Sequence, residues 1–88
     1  MIIEKDELTI YDVETLHKEL IKEFDNGAIL VDMLNVHKID MSVIQLFVSA
    51  QKSSLEASKS FALKNVDQEV ANILKQTACE FLLGVDNG

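Results

Sequence analysis

Residues 28–42, AILVDMLNVHKIDMS, decide how this chain is read. Ala28 to Met33 has the length and β-branched content of a buried strand, while Ser42 to Ala57 is long enough, and rich enough in Leu, Gln, Ala and Glu, to be helix. The short polar loop between them delivers Asp40 and Ser42 to the helix start, with Ser42 as the expected N-cap. Backbone N–H groups without intrahelical partners and the positive end of the helix dipole favour an anion there, such as a phosphoryl group. Ser42 followed by Gln45 also fits a capping box, which by itself accounts for both residues. The two readings are compatible.

Towards the N-terminus, two apolar pieces, Met1 to Ile3 and Leu8 to Ile10, flank the charged Glu4 to Glu7 and predict a small hairpin. From Asp12 to Asp25 the residues Val13, Leu16, Leu20 and Phe24 fall at helical spacing, with Asp12 as N-cap and Asn26-Gly27 as the stop. Towards the C-terminus, Lys59 to Asn65 alternates as a strand. Asp67 then offers another N-cap, and Val70, Ile73, Leu74, Phe81 and Leu82 describe one apolar helix face that Gly84 ends, leaving Val85 to Gly88 as a loose tail. Cys79 falls in that last helix as small core filler. The order is ββαβαβα, an α/β fold with a four-stranded mixed sheet and about three main helices packed against it. The expected core includes Leu20, Phe24, Leu30, Phe47 and Leu74.

The 88 residues fit one domain, residues 1–88, and 48% hydrophobic with 6% aromatic content predicts an aliphatic core. A net charge of −7 with eight lysines and no arginine argues against nucleic acid or an anionic membrane and favours a protein partner. The acidity is uneven: ten acids and four lysines precede residue 41, and five acids and four lysines follow. One cysteine excludes an internal disulfide and fits a reducing compartment, so a cytoplasmic location is expected. No apolar run approaches the ~20 residues of a membrane span, and no export signal opens the chain.

His17 and His37 have no third ligand at metal-binding spacing, and Gly27, Gly84 and Gly88 cannot form a phosphate-cradling loop. Neither a metal nor a cofactor is expected. Hydrolytic chemistry needs a nucleophile with a base of suitable pKa, and Ser42 with Asp40 lacks one, so the chain is expected not to be an enzyme. Asp32, ending the first long strand, is expected to be satisfied by a backbone donor, because a lone buried carboxylate is costly.

These residues resemble the STAS domain, the family named for sulfate transporters and anti-sigma factor antagonists. Ile29, Leu30, Val31 and Asp32, then Val36, Ile39, Asp40, Met41 and Ser42, are similar to the family's apolar strand ending in Asp and its loop Ile-Asp-Ser/Thr-Ser/Ala-Gly-Leu. Leu8-Thr9-Ile10, Gln45-Leu46 and Leu63 to Val66 also resemble the family. In its bacterial anti-sigma antagonists the second serine of Asp-Ser-Ser-Gly is phosphorylated by a partner that is both kinase and anti-sigma factor, and a phosphatase restores binding. The resemblance puts Ser42 at that position and implies a partner surface of Val36, His37, Lys38, Asp40, Met41, Ser42, Val43 and Gln45. Met41 replaces the family's first Ser or Thr, and Val43 replaces its glycine. Two function classes follow: a serine-switched interaction module, in sigma-factor or chemosensory signalling, and a constitutive accessory subunit like the small STAS proteins of lipid-transport ATPase complexes. The oligomeric state stays open.

Overall fold

The computed structural model describes residues 1–83. Strands β1 (Glu7–Leu8), β2 (Ile29–Asp32), β3 (Lys38–Ile39) and β4 (Phe61–Lys64) alternate with helices α1 (Val13–Phe24), α2 (Met41–Glu56) and α3 (Gln68–Gln76). β2 and β4 pair in parallel with Ile29 opposite Phe61 and Val31 opposite Leu63, and all four of these side chains are buried. β1 and β3 pair in parallel with Leu8 opposite Ile39, again both buried. A single parallel bridge from Ile2 to Asp32 runs the N-terminus along β2, where the Asp32 N–H donates to the Met1 carbonyl at 2.7 Å.

Three expectations about the strands and helices change here. The N-terminal hairpin does not form: Glu4 to Glu7 offers no Asn-Gly or Asp-Gly turn, and the chain runs on in one direction to meet β2 and then β3. The described strands accordingly form two parallel pairs joined by the Ile2 bridge, where a four-stranded mixed sheet was expected. β3, two residues long inside the loop, is too short for any alternation to announce it. The last helix is the third difference. α3 ends at Gln76, Ala78 turns into the left-handed region at φ 59°, and Glu80–Leu83 form a separate 3₁₀ turn. That reversal seats Leu82 in the core, leaves Phe81 exposed, and puts Cys79 outside the helix, its thiol donating to the Thr77 carbonyl at 3.3 Å. The expected stop at Gly84 and the tail Val85 to Gly88 lie outside the described residues.

Other boundaries follow local chemistry as read. Gly27 follows α1 at φ 98°, a conformation that suits glycine, and Asp67 caps α3 by accepting from the Val70 N–H at 2.9 Å. α1 begins after the expected N-cap residue, Asp12, but that side chain makes no capping hydrogen bond into the helix. Thr9 caps a 3₁₀ turn over Ile10–Asp12, and Asp12 folds back to accept from the Thr9 N–H at 2.8 Å. Asp12 also takes Lys5, whose ammonium, ahead of the Thr9 N–H, holds its carboxyl below the ordinary carboxylate range.

Leu20, Phe47 and Leu74 are core residues, and the Phe47 and Phe61 rings meet at 5.9 Å between centroids. Phe24 is only half-buried; the Lys59 ammonium lies 4.2 Å from its ring centre and also donates to its carbonyl. Leu30 faces outward at 46% exposure, because burial of Ile29 and Val31 commits the residue between them to the opposite side. Phe47→Ala and Leu74→Ala are each expected to lose about 2 to 5 kcal/mol in denaturant melts, and Leu30→Ala less than about 1 kcal/mol. Equal losses at all three positions would contradict this division of the strand faces.

Candidate functional site

The segment from β2 to α2 is fastened along the N-terminal strand. His37 and Lys38 donate their N–H groups to the Asp6 carbonyl, at 2.7 and 3.2 Å, and Asp40 donates to the Leu8 carbonyl at 3.1 Å. The chain thus reaches the helix start in an extended conformation, with Asp40 at φ −99° and ψ 170°. Asp40 is the N-cap: its Oδ1 accepts from the Val43 N–H at 3.3 Å, while its Oδ2 accepts from the Ile10 N–H at 2.8 Å.

Ser42 is therefore not the cap. It is the second residue of α2, half-buried, and its hydroxyl makes no hydrogen bond to any described residue. The Ser42–Gln45 capping box does not form, because Asp40, two residues earlier and already extended, takes the Val43 N–H. Ser42 still sits in the first turn, where the helix dipole favours negative charge.

The expected contact residues divide by exposure. Val36 and Val43 are fully buried and belong to the core, so neither offers a side chain to a partner. Val43, in place of the family's glycine, spends its side chain on packing beside Ile44 and Phe47. His37, Lys38, Met41 and Gln45 are exposed, and Asp40 and Ser42 are half-buried. Two residues missed by the sequence reading join them: Ile10 and Tyr11, 58% and 91% exposed, are drawn to the helix start by the Ile10 N–H bond to Asp40. The Thr9-x-x-Asp12 spacing signals the turn that presents them, but no periodicity separates an exposed Ile-Tyr pair from a core pair.

His37 makes a second anchor. Its Nδ1 lies 2.5 Å from Asp67 Oδ2, tying β3 to the cap of α3. The hydrogen bond to Asp67, followed by the charges of Asp67, Asp6 and Glu69, raises the His37 pKa above its ordinary value. The Val70 N–H, then His37, lowers that of Asp67. Asp32 ends β2 as expected, accepting from the Leu34 N–H at 3.0 Å and from Asn65 Nδ2 at 3.2 Å, which in that order lower its pKa. His17 is elsewhere, on the rim of a groove of about 320 Å³ between α1 and α2 whose lining includes none of the loop residues. Among the described residues no cluster of three His, Cys, Asp or Glu side chains could hold a metal ion, and no helix is long and apolar enough to cross a membrane.

A family described as "Mlab, STAS domain" matches residues 5–84, and the chain belongs to the STAS domain family. No curated protein matches the chain closely enough to count as a relative. STAS domains are in general non-catalytic protein-interaction modules, and the exposed loop and helix start are the part of this one to test.

Asp40→Ala removes the cap and strands the Ile10 N–H, and is expected to cost about 1 to 3 kcal/mol in denaturant melts, whereas Ser42→Ala should stay within about 0.5 kcal/mol. The reverse order would return the cap to Ser42. The His37–Asp67 pair sets a pH window. A raised His37 pKa contributes stability that is full below the unfolded value of 6.5 and lost as pH rises through the folded value. A lowered Asp67 pKa contributes stability that is full above 3.8 and lost as pH falls through the folded value. The pair therefore contributes most between 3.8 and 6.5. Proton NMR should find the His37 ring titrating above its ordinary value and returning towards it in Asp67→Asn; an unmoved midpoint would break the assignment.

Proposed function

We propose that this chain is a switchable protein-interaction module, an anti-sigma factor antagonist-like or chemosensory regulator of the cytoplasm, in which phosphorylation of Ser42 turns partner binding off. The observation that carries the reading is the division of labour at the helix start. Asp40 supplies the cap, so the Ser42 hydroxyl is free for modification without undoing the helix. A phosphoryl group adds about −1.5 to −2 of charge. At the second position of α2 the helix dipole accommodates that charge, while Asp40 beside it adds a like charge that Lys38 and His37 offset only in part. The domain tolerates the modification and the interface rejects it. The partner surface in this reading is Lys38, Met41, Ser42 and Gln45 with Ile10 and Tyr11, and the partners are a serine kinase that doubles as anti-sigma factor and a phosphatase.

Titration calorimetry against such a kinase, taken from the genome that encodes this chain, tests the proposal. Ser42→Ala should bind like the unmodified protein, and Ser42→Asp should bind about 1 to 3 kcal/mol more weakly with an unchanged melting temperature. Equal affinities for the unmodified, Ser42→Asp and phosphorylated proteins would overturn the switch and leave a constitutive subunit, such as an accessory protein of a lipid-transport ATPase.

A further inference from the structure

α1 and α2 lie side by side and point the same way. Their starts are tied where the Ile10 N–H donates to Asp40, and their ends where the Lys59 ammonium donates to the Phe24 carbonyl. Between them runs the groove of about 320 Å³. His17, Ile21 and Phe24 form its α1 wall and Leu46, Ser49 and Ser53 its α2 wall, over a floor that includes the buried Leu20 and Ile29. The walls run from residue 17 to 24 and from 46 to 53, about two helical turns or roughly 10 Å each. Ile21 is 54% exposed, so the groove stands open along α1.

The walls decide what can lie there. They are helix side chains whose main-chain groups bond within their own helices, so an extended segment would bury unpaired N–H and C=O groups against them. A helix brings its main chain already satisfied, and apolar side chains at i, i+3 or i+4, and i+7 match two turns of wall. A small-molecule site encloses most of its ligand, which an open groove does not, and a net charge of −7 with no arginine disfavours an anionic lipid headgroup. Direction follows from the dipoles. α1 and α2 put two positive ends beside Ser42 and two negative ends beside Phe24, which favours a third helix running antiparallel to both. The groove also continues the Ser42 surface: Ser42, Leu46, Ser49 and Ser53 fall at i, i+4, i+7 and i+11 on one stripe of α2.

We propose that the α1–α2 groove is the docking site for an amphipathic helix of a protein partner, laid antiparallel to α1 and α2 with its C-terminal end at the Ser42 face. The inference deepens the reading of that face as the partner side of the domain and rests on it, though not on its phosphorylation.

The probe is an Ala-, Glu- and Lys-based peptide of about 15 residues with leucines at i, i+3, i+4 and i+7, titrated into the isotope-labelled chain and followed by amide NMR shifts. It should move the His17, Ile21, Leu46 and Ser53 amides with a Kd of about 0.1 to 1 mM, and the same composition with its leucines scattered round the helix should not. Ile21→Lys and Ser53→Trp should weaken binding at least about tenfold while melting like the parent, since both positions are exposed. A nitroxide on the C-terminal end of the peptide should broaden the Met41 and Ser42 amides, and one on its N-terminal end those of Phe24 and Ser53. No groove shifts at about 1 mM, equal shifts from the scattered peptide, binding that survives both substitutions, or the reverse pattern of broadening would overturn the proposal. Groove shifts from decanoate but not from the peptide would overturn it too and give the site to an acyl chain. Neither substitution alters the helix start, so calorimetry of the Ser42 variants reads the switch separately, and a missing switch would leave the peptide result standing.

Discussion

The Asp40 carboxylate holds together the two ends of the region on which the reading of this protein turns. One oxygen fixes the first turn of α2, and the other reaches Ile10, thirty residues earlier in the chain. A side chain that only capped a helix would leave the helix free to shift against the N-terminal turn. A side chain that satisfies an N–H on each sets their relative position, and with it the placement of Tyr11, Met41 and Ser42 on one surface. Lys38 and His37 are aimed by the same frame, since their N–H groups share the Asp6 carbonyl of the adjoining segment. The loop is therefore a braced one, and its geometry derives from β1 as much as from its own residues.

How far the sequence spoke for the structure depended on the range of the interaction that decides each feature. α1 and β4 were legible because their apolar residues repeat at a helical or strand period, and β2 and α2 because their length and composition suit a buried strand and a helix. Asp67 and Gly27 were legible because capping and a left-handed stop are decided by one residue's own chemistry. β3 was not, since two residues carry no period and their pairing is fixed by β1 some thirty positions away. The break after Gln76 was hidden for a related reason. Phe81 and Leu82 continue the apolar spacing of α3, and nothing local says that Ala78 will accept a left-handed conformation so that Leu82 can fill the core.

The site shows the same limit. Ser42 read as the capping residue, and the cap fell instead to Asp40, two positions earlier, through the extended path that β3 imposes on residue 40. Val36 and Val43 read as loop and helix-start surface, yet they point into a core whose position only the whole fold defines. Ile10 and Tyr11 entered the surface through a hydrogen bond to a residue far along the chain. What sequence alone supplied was the segment; which of its side chains face outward came from tertiary contacts.

The all-parallel pairing has a consequence for how the chain reaches this state. Each strand contact joins residues about thirty positions apart, β1 to β3 across α1 and β2 to β4 across α2, and the hairpin that would have offered a short-range pairing is missing. A helix therefore has to be traversed before any strand finds its neighbour, and the entropy of closing that loop is spent before the pairing returns anything. Folding has no local strand nucleus from which to grow. With every strand pairing of the described residues long-range, this 88-residue chain is expected to fold more slowly than a helical bundle of equal length.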